Sequence, residues 1–366
     1  MTQSKAMVIT EPGRLEMQSF PLPSLGADDA LLRMELVGVC GSDPGIFKGK
    51  ASRAPRPYPL ILGHEIVGRI EAAGPEFLAR RGLSLGERVI VEFAFGCGKC
   101  AACRAGRYTV CEEMLCYGAM ISCDQPPYLY GAYSQFLYLP PRAMVHRIGE
   151  DTSPEEAVLI SAVLGNAVRW LSRIGGVTGG QSVAIVGPGQ QGLAATMVAR
   201  ACGASPIVVV GLERDAPRLA MAKKLGADLT VMADQQDPAE AVAQATGGEM
   251  AQVVMDVSGH PSGAPLALEL CGLGATVVLP GLYGMTTEVP LLLDKVVFKE
   301  LRLLGAYSQD YESVEAAIKI NRRMGFPLSE LISHRFPLAR AEEAVRLVAG
   351  EVPGDLPMKV VIEPWS

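Results

Sequence analysis

The stretch that most limits what this chain can fold into runs from Gln181 to Cys202. Gln181-Ser182-Val183-Ala184-Ile185-Val186 reads as a strand buried on both faces, the kind found in parallel sheets. It enters Gly187-Pro188-Gly189-Gln190-Gln191-Gly192, and Leu193 to Cys202 continues as a helix. Within that strand–turn–helix order the three glycines have separate tasks. Gly187 permits the tight turn, Gly189 lets the backbone approach a pyrophosphate, and Gly192 lets the helix sit close on the strand. Free N–H groups at the helix start, with the helix dipole behind them, then hold the anion.

The pattern around this unit extends it into a domain. Ile207-Val208-Val209-Val210-Gly211-Leu212 is a second strand that ends at Glu213. An acid there hydrogen-bonds the adenosine ribose and repels a 2′-phosphate, which favours NAD over NADP. Arg214 follows directly and leaves the NADP alternative open, since a guanidinium welcomes that phosphate. A helix from Ala216 to Leu225, strands at Val253–Val257 and Ala275–Leu279, and a strand run at Leu301–Leu304 come next. Alternation of this sort gives an α/β fold with a doubly wound parallel sheet. The tail holds a helix from Ala341 to Val348 and a last strand, Met358 to Ile362, expected to rejoin the first domain.

The texture changes upstream at Ser153-Pro154-Glu155-Glu156. Ser at the N-cap, Pro at the first helical position and Glu three residues after the Ser predict a helix start. A largely apolar helix from Ala157 to Ile174 follows, closed by Gly175-Gly176, so a domain boundary is expected near 153. Ahead of it, residues 1–39, 60–73, 86–93 and 132–139 alternate short apolar runs with Gly and Pro turns, as an antiparallel or barrel-like sheet would. At 366 residues the chain exceeds one ordinary core, and two domains are the prior.

Metal-ligand residues are concentrated in the first half. Cys97, Cys100, Cys103 and Cys111 carry C-x2-C-x2-C-x7-C spacing, with Gly96, Gly98 and Gly106 supplying turns. Four thiolates so close make a closed tetrahedral zinc site, and a closed shell implies a structural role. Cys40-Gly41-Ser42-Asp43 and Gly63-His64-Glu65-Ile66-Val67-Gly68 form a second set. Cys40 and His64 are ligand types that zinc prefers, Glu65 adds a carboxylate, and Asp43 can orient the imidazole. Between them lie Lys48, Lys50, Arg53 and Arg56, a solvated basic loop or cations that greet an anionic substrate. The remaining residues of these types take plainer readings. His146, His260 and His334 are surface or core histidines, and Cys116, Cys123, Cys202 and Cys271 are free thiols. Tyr117–Tyr130 is a loop that resembles an insertion.

Composition narrows the classes. With 33 basic against 39 acidic residues the net charge is −6, which argues against a partner held through nucleic-acid phosphates. Met1-Thr2-Gln3-Ser4-Lys5 leads straight into an apolar strand with no signal segment, and no uncharged apolar run reaches membrane-spanning length. A cytoplasmic protein with reduced cysteines and no membrane partner is the expectation.

Together these residues resemble the zinc-dependent medium-chain alcohol dehydrogenase family, in its polyol, sorbitol and threonine dehydrogenase branch. The resemblance rests on Cys40-Gly41-Ser42-Asp43, Gly63-His64-Glu65, the four-cysteine lobe, the fingerprint and the closing Lys359-Val360-Val361-Ile362, in family order and spacing. It implies a GroES-like, mostly-β catalytic domain over 1–153, with a structural zinc lobe at about 96–112. A Rossmann NAD(P)-binding domain would follow over 154–300, with a return to the catalytic domain over 301–366. It also implies that Cys40 and His64 ligate a catalytic zinc, that Asp43 supports His64 and that Ser42 relays the substrate proton. Lys359 would touch the cofactor pyrophosphate, and the assembly would be a homodimer or homotetramer with two zincs per chain.

Two departures from the family pattern stand out. The histidine usual after the Cys-Gly-Ser-Asp tetrapeptide is replaced by Pro44-Gly45, so the proton must leave Ser42 by another route. The segment that carries the usual third zinc ligand reads Ser161-Ala162-Val163-Leu164-Gly165-Asn166, with neither Cys nor Glu. Glu65 is the expected replacement, with Asn166 near substrate or cofactor. The expected function is zinc-dependent hydride transfer between a secondary alcohol (a polyol, cyclic alcohol or hydroxy acid) and NAD, giving a ketone. The alternatives are a zinc-free NADPH-dependent carbonyl or enoyl reductase and a non-catalytic dinucleotide-binding protein.

Overall fold

The computed structural model describes residues 2–50, 52, 54–285 and 287–366. In chain order the strands are β1 (Gln3–Glu11), β2 (Arg14–Pro21), β3 (Ala30–Val39), β4 (Leu60–Ile61), β5 (Glu65–Ala73), β6 (Arg88–Val91), β7 (Phe136–Leu139) and β8 (Val145–Arg147). Then come β9 (Val183–Val186), β10 (Ile207–Gly211), β11 (Leu229–Met232), β12 (Ala251–Asp256), β13 (Cys271–Leu279), β14 (Arg302–Gly305), β15 (Ile332–Pro337) and β16 (Lys359–Glu363). The chain divides into two compact units, Met1–Ala162 with Pro327–Ser366, and Val163–Phe326.

The first unit is mostly β. A 7-stranded sheet runs β15-β16-β3-β5-β6-β8, with β7 on the other part of β3, and a 3-stranded sheet runs β2-β1-β4. β3 is long and buried almost throughout because it is shared: β5 and β7 pair with it antiparallel, and β16 crosses its end as Val360↔Val39, Val361↔Gly38 and Ile362↔Val37. Bulges in the β3–β5 ladder after Leu31 and Met34 bend the pair. The interior is filled by fully buried Phe47, Phe77, Tyr117 and Tyr133 among aliphatic residues. The loop 117–130 is packed rather than loose. Tyr117 and Leu129 are buried, and the Cys123 amide donates to Pro59 O at 2.9 Å.

The second unit carries a 6-stranded parallel sheet in the order β11-β10-β9-β12-β13-β14. β9 and β10, Val-Ala-Ile-Val and Ile-Val-Val-Val-Gly, are buried at every position, as central parallel strands covered on both faces must be. Each such Val or Ile stabilises the fold by about 1.5–3 kcal/mol through burial. β14 pairs in register with β13 (Thr276↔Arg302 to Leu279↔Gly305) and closes one edge. The parallel sheet therefore continues past 300. The chain returns to the first unit at Pro327, not at 301, and it leaves that unit after Ala162 instead of 153.

The helix start at Ser153 is a full capping box. Ser153 Oγ accepts from the Glu156 amide at 3.2 Å, and the Ser153 amide donates to Glu156 Oε2 at 3.2 Å. After Leu159 the helix widens into π-helical turns over Ile160–Gly165 and Val168–Ile174, where the Gly175 amide reaches back to Trp170 O at 2.8 Å. Pro154–Ile174 is long and apolar enough to span a membrane, with a mean hydropathy of 1.3, but 72% of that stretch is buried within the protein. That burial is what a core helix shows.

Candidate active site

Val39 ends β3, and the chain turns through Cys40-Gly41-Ser42 into a short helix, Asp43–Phe47. The Cys40 amide donates to Asp43 Oδ2 at 2.9 Å and ties off the turn. His64 precedes β5. Its Nε2 lies 3.5 Å from Ser42 Oγ, and its Nδ1 lies 3.4 Å from Asp43 Oδ1. The second distance is long for a hydrogen bond, so neither Nδ1 nor Oδ1 has a conventional partner among the described residues. The Phe93 ring covers the imidazole edge-on, with centroids 5.1 Å apart.

Burial pushes the pKa of His64 down, but the Asp43 carboxylate and the nearby Cys40 sulfur outweigh it and raise the value to about 9. Burial raises the Asp43 carboxyl above the ordinary carboxylate value, with His64, the Cys40 amide and the Tyr133 hydroxyl opposing it only in part. A sulfur beside an imidazole turned by a carboxylate is a donor set that suits zinc.

Glu65, the expected third ligand, is placed elsewhere. His64 and Glu65 are consecutive at the start of a strand, so their side chains leave on opposite faces. The Glu65 carboxylate pairs with Lys359 Nζ, both side chains are fully buried, and Lys359 also donates to Val39 O at 3.3 Å. Gly38, opposite Glu65 in the ladder, makes the room, because a Cβ there would stand 1.9 Å from Glu65 Oε2. Lys359 is therefore enclosed in the first unit, not presented to a pyrophosphate. Ser161 is buried with Oγ donating to Val91 O at 3.3 Å, and Ala162 beside it has no ligand atom. The residues fit a zinc ion with two protein ligands, one short of the usual catalytic set.

The four-cysteine lobe fits without reservation. The sulfurs of Cys97, Cys100, Cys103 and Cys111 lie within 4.8 Å of one another, the only such group of His, Cys, Asp or Glu among the described residues. Cys97 Sγ and Cys103 Sγ are 4.0 Å apart. A tetrahedron with Zn–S bonds of about 2.3 Å has edges of about 3.8 Å. Amides of the turns donate to sulfur: Cys97 to Cys111 at 3.3 Å, Cys100 to Cys97 at 3.4 Å and Cys103 to Cys100 at 3.4 Å. The amides of Glu112 and Cys103 bring the Cys100 thiol down to about 6, whereas burial sends Cys103 up to about 12.

In the second unit the fingerprint glycines form the turn between β9 and the helix after it. Gly187 has φ +102, and a Cβ on it would meet the Ser258 backbone at 2.7 Å. A Cβ on Gly192 would meet Gly187 O at 1.9 Å, while Gly189 has nothing within 4 Å of the same point. Gly189 caps the helix Gln190–Ala201, whose first turn carries Gln190, Gln191 and Gly192. Glu213 and Arg214 are exposed just beyond β10, and the Glu213 amide donates to both oxygens of Asp234 at 2.8 and 3.1 Å. Asn166 is buried with no partner on its Oδ1 among the described residues.

The remaining expectations divide. Lys48 pairs with Glu351, Lys50 is exposed, Arg56 donates to Ala119 O at 3.4 Å, and Arg53 lies outside the described residues. Among the described residues no cysteine is joined in a disulfide. His146 is a core histidine, its Nε2 2.9 Å from Glu92 Oε1, and Glu92 also accepts from Tyr108 Oη at 2.7 Å. Sequence reasoning missed Tyr133 and Asp234, which no motif or periodicity links to the residues they touch.

Two family models match: the alcohol dehydrogenase GroES-like domain over residues 26–150, and the zinc-binding dehydrogenase over residues 192–322. The chain is 39% identical to a probable alcohol dehydrogenase of Mycobacterium tuberculosis, over 98% of each chain. It is 31% identical to an erythritol/L-threitol dehydrogenase of Mycolicibacterium smegmatis, over 94% of each. The crystal structure of an alcohol dehydrogenase from Thermotoga maritima matches with a TM-score of 0.89 at 26% identity, over 99% of each chain.

Proposed function

The chain belongs to the zinc-type medium-chain alcohol dehydrogenase family, and from that premise we propose that it interconverts a secondary alcohol and its ketone with NAD, using a zinc ion held by Cys40 and His64. Hydride transfer between an alcohol and a nicotinamide dinucleotide is the chemistry of the family. The finer reading rests on one observation: Cys40, Ser42, Asp43 and His64 converge although their third expected partner does not. A second zinc, at Cys97, Cys100, Cys103 and Cys111, has a structural role.

Each residue has a task. Cys40 and His64 hold the metal, and Asp43 fixes the imidazole with Nδ1 turned inward so that Nε2 is the ligand atom. Ser42 Oγ stands where a substrate hydroxyl proton can be handed on, and with Pro44-Gly45 following, that proton leaves by water or the cofactor ribose. Gly187, Gly189, Gln190, Gln191 and Gly192 receive the pyrophosphate, and Glu213 receives the adenosine ribose. An acidic residue at the end of β10, with the Asp234 carboxylate on the Glu213 amide, disfavours a 2′-phosphate, and this supports NAD. The chemistry supplied by the bound groups is Lewis-acid polarisation of the hydroxyl by zinc and hydride acceptance by the dinucleotide.

The protein works in the cytoplasm, where cysteines that ligate zinc or stay as thiols are kept reduced. It works as a homodimer or homotetramer, which is supported by the exposed apolar side chains between β13 and β14: Leu282, Met285, Leu293, Val297 and Phe298 are 63–81% exposed. The test of the reaction is NADH formation at 340 nm from polyols, cyclic alcohols and hydroxy acids, with and without a zinc chelator. Chelator-sensitive NADH formation is expected. Equal rates with and without chelator, or turnover only as an NADPH-dependent reductase, would overturn the reading.

A further inference from the structure

We propose that Tyr133 is a positioning residue for this site: through Asp43 it holds the His64 imidazole in the orientation that presents Nε2 to the metal. This deepens the reading of His64 as a ligand and rests on it. The Tyr133 hydroxyl donates to Asp43 Oδ2 at 2.9 Å, and the Cys40 amide donates to the same oxygen at 2.9 Å. Two donors on Oδ2 leave Oδ1 to face His64 Nδ1. Without the phenol one of those two restraints is gone, and the carboxylate can rotate about its Cβ–Cγ bond and take the imidazole with it.

The tyrosine is itself fixed from several sides. Its amide donates to Leu62 O at 2.8 Å, and its carbonyl accepts from the Met7 amide at 2.8 Å. An edge of its ring meets Gly63, the residue before His64, where a Cβ would stand 2.4 Å from Tyr133 Cδ1. Gly63 has φ +94, a conformation that suits glycine, so the ring takes the space that Gly63 leaves. Gly118 backs the arrangement from behind, since a Cβ there would meet Gly63 O at 2.4 Å. Tyr133 and Asp43 are both 0% exposed, so no water competes for the contact. Burial also raises the phenol well above its ordinary pKa, which keeps it a donor.

The test compares Tyr133→Phe, Asp43→Asn and the double variant in the full chain, by two readouts. One is the long-range proton–nitrogen NMR spectrum of the histidine rings in metal-free protein, where only four histidines contribute. The other is zinc affinity by competition with a chromophoric chelator, with the cysteine-lobe zinc as the internal reference. In Tyr133→Phe the His64 ring nitrogens are expected to shift, and zinc affinity at that site to fall by about tenfold while the lobe keeps its metal. Added to Asp43→Asn, the same change should alter neither readout by more than about twofold, because the route runs through Asp43. An unchanged His64 spectrum in Tyr133→Phe overturns the proposal even if thermal stability falls. Equal losses in the presence and absence of the Asp43 carboxylate overturn it as well. If the wild-type protein binds zinc only in the lobe, the ligand reading of His64 fails, and the NMR comparison still decides whether Tyr133 orients the ring.

Discussion

Glu65 and Lys359 are 294 residues apart in the chain and meet with both side chains fully buried. Removing one partner of such a pair strands a charge in the interior, which costs about 3–5 kcal/mol, whereas replacing both can be neutral. Lys359→Met should therefore lower the urea-unfolding free energy by that amount, and Glu65→Gln added to it should restore most of the loss. A Lys359→Met variant as stable as the parent would contradict the enclosed pairing. Thiols give a second prediction at this scale. Burial raises Cys123 from an ordinary 9.0 to about 11, and Cys271 to about 12 with Lys299 opposing. The folded state holds these protons more tightly than the unfolded chain, so the stability they contribute is complete below about pH 9 and is lost as pH rises toward 11–12. Cys123→Ala with Cys271→Ala should flatten the fall in melting temperature across that window, and an unchanged slope would count against it. Neither arrangement was legible in the sequence, because a buried partner is chosen by the folded geometry and no local spacing encodes it.

Elements were far more legible, for a physical reason: their signals are local. The capping box at Ser153, the fingerprint turn and the cysteine spacing each act within a few residues, and each forms as its pattern predicts. Ser153→Ala should cost about 1 kcal/mol in unfolding free energy. The π-helical widening after Leu159 was not legible, since nothing in Ile160–Gly165 distinguishes one register of an apolar helix from another. The return of the chain to the first unit was also misplaced. The Leu301–Leu304 run was legible as a strand, yet no local signal fixed where the second unit gives way to Pro327. β14 is an edge strand, and the helix ahead of it, Leu293–Phe298, exposes Leu293, Val297 and Phe298, the last at 81%. Phe298→Asp should shift the protein to monomer in sedimentation at micromolar concentration. An unchanged oligomer would move the interface elsewhere.

At the scale of the molecule, two cores with different textures share one chain, and this much could be read from the sequence. Short strands with Gly and Pro turns form the first unit, and continuous Val and Ile runs between helices form the parallel sheet of the second. The site was legible only in part. Cys40, Ser42, Asp43 and His64 lie close together, while Glu65 turns away to a lysine near the other end of the chain. Zinc bound at Cys40 and His64 with two protein ligands is therefore the central claim. The zinc content per chain, measured on protein purified without chelator, tests this most directly. Two zinc ions are predicted, one of which is lost from His64→Ala while the other stays with the cysteine lobe. One zinc ion in the parent, unchanged in His64→Ala, would contradict a metal at Cys40 and His64.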